Sequence, residues 1–164
     1  MTGARNTAPA QIVKSARHWI GTPYHDQASI RGVGCDCLGL LRGVWRDVVG
    51  PEPMPVPPYS RDWGETGPVE VLAEAARAAM QELDVAEART GDVILFRMRA
   101  GAIAKHVGIL SGTDSSVHSH RSGWSSRSAR SHFIHAYERT GVIEEHLTPA
   151  WQRRIAFAFR FPMR

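Results

Sequence analysis

The pair Asp36–Cys37, inside the stretch GVGCDCLGLLRGVWRDVVG (residues 32–50), has the makings of a nucleophile at a helix start. Asp36 suits an N-cap, which leaves Cys37 at the first helical position. There the aligned peptide dipoles and unpaired N–H groups favour thiolate over thiol. The same N–H groups form an oxyanion hole when a carbonyl is attacked. A thiol nucleophile needs an imidazole to take its proton and later hand it to the leaving amine. That imidazole needs a polar partner to hold one tautomer. His106 and His135 fall at strand positions, in HVGIL (106–110) and FIHAYE (133–138). On antiparallel neighbours their rings lie near one another on one sheet face, and the cysteine helix is expected to pack across that face. The other reading of Cys37 is a small buried hydrophobe on an apolar helix.

The elements that must position these groups are readable from periodicity. Leu38, Leu41, Trp45 and Val48 recur on one face of the cysteine helix, and Gly50–Pro51 ends it. Gly39 and Gly43 leave a smooth groove for close packing. Residues 9–20 read as an earlier helix, through Ile12, Val13, Ala16, Trp19 and Ile20. The loop GTPYHDQASIRGVG delivers Tyr24 just before the nucleophile, either to place a hydroxyl at the site or to pack beside the helix. Residues 51–58 are too rich in proline for helix or central strand. A helix is expected over 68–89, with Val69, Leu72, Ala76, Met80 and Leu83 as its buried stripe. Strands follow at 93–96, 106–110, 133–138, 141–147 and 155–161. In the last, Ile155, Phe157, Phe159 and Phe161 alternate with Ala156, Ala158 and Arg160. Helices first and strands afterwards give an α+β fold. The serine-rich stretch 111–132 reads as a long exposed loop between two strands.

The 164 residues suit one domain, and an apolar share of 43% is that of a globular chain. A net charge of +4 without a clustered basic helix argues weakly for nucleic acid and suits an anionic polymer surface equally well. Cys35 and Cys37 are too close in sequence for an unstrained disulfide, so both thiols are expected free. No apolar run is long enough to span a bilayer, and the first residues, MTGARNTAPAQ, lack a signal-peptide core. The chain is therefore expected to be made in the cytoplasm.

Taken together, GTPY (21–24), GCDCLGL (34–40), GDVILF (91–96), HVGIL (106–110) and FIHA (133–136) resemble the NlpC-type family of papain-like cysteine peptidases, which cut bacterial cell-wall peptides. The resemblance runs in the family's order over nearly the whole chain, and implies helices packed on a mostly antiparallel sheet in a single domain, 1–164. It makes Cys37 the nucleophile, His106 the general base and His135 the third polar residue. Tyr24 then lends its hydroxyl to the oxyanion or substrate, and Asp36 helps recognise the peptide's amino end. No cofactor and no metal are implied. The implied substrate is a peptidoglycan stem peptide, cut beside D-glutamate and diaminopimelate. The proline-rich insertion near 51–67, with Tyr59–Trp63, and the ending LTPAWQRRIAFAFRFP are similar to the branch encoded by phages and gene transfer agents. That similarity implies tail or baseplate partners and delivery to the wall by a virion-like particle.

Two departures from the family pattern stand out. Leu38 follows the cysteine where most relatives have serine, and the 111–132 loop replaces a short hairpin, which makes His118 a competitor of His135. Two other functions compete with the enzyme. One is a tail component whose papain-like fold is mainly structural. The other is a metal site built from Cys35, Cys37, His118 and His120, although that spacing is not a familiar zinc pattern.

Overall fold

The structure, a computed structural model, describes residues 9–59, 67–113 and 131–162. Its frame is a six-stranded antiparallel sheet in the order β3-β8-β4-β5-β6-β7. The strands are β3 (Gln81–Leu83), β4 (Val93–Phe96), β5 (His106–Thr113), β6 (Ser131–Tyr137), β7 (Gly141–His146) and β8 (Ile155–Arg160). Two short strands, β1 (Ser29–Ile30) and β2 (Gly34–Cys35), pair separately. The helices are α1 (Pro9–His18), α2 (Cys37–Val48), α3 (Val71–Ala79) and α4 (Pro149–Gln152). This is the α+β arrangement that the order of periodicities predicts.

Strand alternation divides the core in two. Val93, Leu95, Val107, Ile109, Ile134, Ala136 and Phe159 face the three longer helices. Ile94, Phe96, Leu110, Phe133 and Ala158 face the other way and are covered by Trp151, Leu147 and Ala88. On α2, Leu40 and Val44 are fully buried in the first layer, each stabilising the packing by ~1.5–3 kcal/mol. Gly43 allows the Trp19 ring to lie directly on the helix, where a Cβ would overlap it. Gly39 does the same for the Ala28 carbonyl, so the groove read from the sequence is used twice.

Four expectations change. The helix of 68–89 closes at Ala79, because Met80 turns extended and Gln81–Leu83 find hydrogen-bonding partners on β8. A sheet edge thereby takes residues that helical spacing had claimed. In β8 a bulge opposite Leu95–Phe96 shifts the alternation. Ile155 therefore packs in the second layer with Phe96, while Phe157 packs in the first. The serine-rich loop is shorter than 111–132, since Gly112 pairs with His132 and Thr113 with Ser131. Finally, α4 and its Thr148 cap were not foreseen, although Thr-Pro is an ordinary helix opening. The rest of the serine-rich segment, with His118 and His120, lies outside the described residues, as does Trp63.

Candidate active site

The start of α2 is built as its sequence dictates. Asp36 is extended (φ −97°, ψ −173°), and its Oδ1 accepts the Gly39 N–H at 2.7 Å. The buried Oδ2 accepts the Gln27 N–H at 2.7 Å and the Tyr59 hydroxyl. Three donors thus occupy this carboxylate, and one arrives from the proline-rich crossing. Cys35 sits behind, fully buried. Its N–H bonds the Pro23 carbonyl and its carbonyl accepts the His25 N–H, each at 3.0 Å. That pairing sets Tyr24 beside the helix start.

Cys37 is half-buried and lines a cavity of about 280 Å³. Tyr24, Asp36, Leu38, Tyr59, Lys105 and His106 line it too. Beyond Leu38, Tyr59 and Leu72 lies a larger, mainly apolar cavity of about 430 Å³, bounded by α2, α3 and the proline-rich crossing. The thiol is 3.6 Å from the Lys105 carbonyl oxygen, and the backbone N–H groups of Val107, Leu38 and Cys37 act on the sulfur. Cys37 therefore meets β5 at its first residues, on either side of His106.

The helix does not pack across the histidine face. Helix α2 covers Val107, Ile109, Ile134 and Ala136, whereas His106 and His135 belong with Phe96, Phe133 and Trp151 on the reverse face. Alternation requires this, because His106 precedes Val107 and His135 lies between Ile134 and Ala136. The cysteine and the imidazole still share a cavity because both stand at the end of the sheet, where α2 begins and β5 starts.

The two histidines form a chain. His106 Nε2 is 2.7 Å from His135 Nδ1, and His135 Nε2 is 3.0 Å from Glu145 Oε1. With Nε2 committed to His135, Nδ1 is the His106 nitrogen left for the thiol. The Trp151 ring stacks on His106 at 5.5 Å between centroids. Sequence reasoning missed Glu145, yet a signal was present. On the neighbouring strand Glu145 pairs with Phe133, two residues before His135 and on the same face.

Burial dominates the electrostatics. It pushes the Cys37 thiol up to about 12, helped by the Asp36 charge and opposed by the three backbone N–H groups. It pulls the His106 imidazole down to about 3, with His135 and Arg154 acting in the same direction. Burial thus favours neutral thiol and neutral imidazole, against the pull of the helix terminus toward thiolate. Cys35 is likewise pushed up to about 12 by burial. Both cysteines are free, and among the described residues no three His, Cys, Asp or Glu side chains group as metal ligands. Nor is any described helix long and apolar enough to cross a membrane.

Solved structures share this fold. A NlpC/P60 family protein from Bacillus cereus ATCC 10987 superposes with a TM-score of 0.61 at 21% identity, over 94% of this chain and 40% of its own. The NlpC/p60 domain of the peptidoglycan hydrolase SagA superposes at 0.56 and 22% identity, over 94% of this chain and 98% of its own. A lipoprotein-like NLP/P60 protein from Staphylococcus aureus Mu50 gives 0.56 and 22%, over all of this chain and 46% of its own. The chain thus spans less than half of two of these relatives. No curated protein sequence matches it. Residues 21–158, which hold the cysteine helix, both histidine strands and Glu145, match the sequence profile of the NlpC/P60 family, and the chain belongs to that family.

Proposed function

We propose that the chain is a cysteine peptidase that hydrolyses an amide bond in the stem peptides of peptidoglycan. One observation carries this reading: Cys37, at a capped helix start, opens into the same cavity as His106, whose far nitrogen is anchored through His135. As Sγ attacks the scissile carbonyl, His106 Nδ1 takes the thiol proton, so charge develops only during the reaction. The N–H groups of the first turn of α2 and the Tyr24 hydroxyl stabilise the oxyanion. The C–N bond then breaks, and the amine leaves with the proton held by His106. A thioester remains on Cys37. Water, deprotonated by His106, attacks the thioester carbonyl; the C–S bond breaks, the acid is released and His106 returns the proton to Sγ. Asp36 caps the helix and holds Tyr59; a substrate ammonium reaches its buried Oδ2 only by displacing one of the donors there.

The bond is the one between D-glutamate and diaminopimelate, a choice supported by the family resemblance. Delivery by a phage-like tail is supported by the similarity of the proline-rich insertion and the C-terminal segment to that branch, and is checked by probing purified particles for the chain. Catalysis is tested with Cys37→Ala and mass spectrometry of fragments released from purified peptidoglycan. The wild type is expected to release peptides with new amino ends and the variant none, at unchanged thermal stability. Equal release by both proteins overturns the reading and leaves a structural role.

A further inference from the structure

Glu145 is half-exposed, stands on β7, and is used by no step of the mechanism above. Burial raises its carboxyl, and the Trp151 indole, a group that can only donate, pulls it back toward the ionised form. An ionised carboxylate only accepts, so the bond to His135 at 3.0 Å requires the hydrogen on His135 Nε2. His135 is fully buried and burial pulls its imidazole down to about 4, so the ring is neutral and its Nδ1 is bare. A bare Nδ1 at 2.7 Å requires the hydrogen of the neighbouring ring on His106 Nε2. His106 is neutral as well, and its remaining nitrogen, Nδ1, carries a lone pair. The direction of both hydrogen bonds is therefore set at one end, by a residue two rings away from the thiol.

We propose that Glu145 is a positioning residue that fixes both histidines as Nε2–H tautomers and so keeps His106 Nδ1 free to accept the Cys37 proton. The proposal deepens the peptidase reading and rests on it for its purpose. When His106 gains the proton, its Nε2–H still points at the His135 lone pair, and the Glu145 charge lies behind it. The other charged or titratable groups around the chain do not set this order. Lys105 and Glu138 line the cavity, and Tyr137 stacks against His135. Arg154, over the Trp151 ring, opposes a charge on His106, and Asp36 lies behind Cys37. A reversed chain, with a donor in place of Glu145, would put a hydrogen on the nitrogen that must receive one.

The test uses ring-nitrogen NMR of 15N-histidine-labelled protein at neutral pH, with the rate of Cys37 alkylation by iodoacetamide, in wild type, Glu145→Gln and Glu145→Ala. In the wild type both rings are expected as Nε2–H. In E145A the tautomers mix, and alkylation slows by about tenfold, a part of the roughly 10²–10⁴-fold that a positioned base supplies. E145Q falls between, because its amide oxygen still accepts. A wild-type His106 carrying its hydrogen on Nδ1 overturns the proposal, and so does an E145A protein with wild-type ring shifts and alkylation rate. The wild-type spectrum decides even where a variant fails to fold. Neither readout needs a peptide, so a protein that meets these expectations yet releases no wall fragments refutes the peptidase reading alone.

Discussion

Gly39→Ala puts a methyl group where the chain has left room for none. Gly39 lies in the first turn of α2, and a Cβ there would overlap the Ala28 carbonyl oxygen and stand 3.1 Å from Asp36 Oδ1. Elsewhere in a helix the change is favourable by up to ~1 kcal/mol. Here the Ala28 carbonyl is backbone and has to retreat by roughly 1.5 Å or more to reach ordinary contact distance. Such overpacking costs ~1–3 kcal/mol. The same carbonyl accepts the Asp36 N–H at 3.3 Å, and the Gly39 carbonyl accepts the Ser29 hydroxyl at 2.6 Å. Losing one of these adds ~1 kcal/mol. The steric term wins, for a net loss of ~2 kcal/mol and a fall in Tm of roughly 4–8 °C in a chain of this size. Because Asp36 and Cys37 move with that turn, peptide release falls as well. A misplacement of about 1 Å costs up to roughly a hundredfold in rate. Thermal melts and wall-peptide release measure the two effects. A G39A protein as stable and active as the wild type would refute the close approach of Ala28 to the helix.

Two further perturbations follow from buried charge and buried neutrality. Burial lowers His106 from 6.5 to about 3 and His135 from 6.5 to about 4. Over that range the unfolded chain binds protons that the folded one refuses, so stability is full above about 6.5 and drains away as the pH falls. His106→Asn is expected to flatten the dependence of Tm on pH between 6.5 and 4, and an unchanged slope counts against a buried neutral ring. Arg160 donates to both oxygens of buried Asp92, at 2.9 and 2.7 Å, while the Arg89 N–H supplies a third bond at 2.8 Å. Arg160→Met strands that carboxylate and is expected to cost ~3 kcal/mol in urea unfolding, with Asp92→Asn added in the double variant recovering part of it. A neutral R160M variant would mean that the pair contributes nothing.

Local rules decide what neighbouring residues settle among themselves, and those features were legible in the sequence. The Asp36 cap, the apolar face of α2, the free cysteines, the five main strands and the segregation of helices from strands all follow from short-range spacing. So does the use of Gly39 and Gly43 as contact points. What spacing does not carry is the partner across a strand or the side of a sheet that a helix chooses. Only the folded chain decided that Gln81–Leu83 would leave a helix for the edge of β8, and that a bulge would send Ile155 to the second layer. It also decided that α2 would cover the face opposite the histidines, with Cys37 reaching the Lys105 carbonyl and sharing a cavity with His106 around the end of β5. Tyr59 on Asp36 and Glu145 behind His135 belong to the same class, since each joins residues that only cross-chain packing brings together. Even the charge state of the thiol was out of reach, because a helix dipole is written in a dozen residues whereas desolvation is the work of the whole surround.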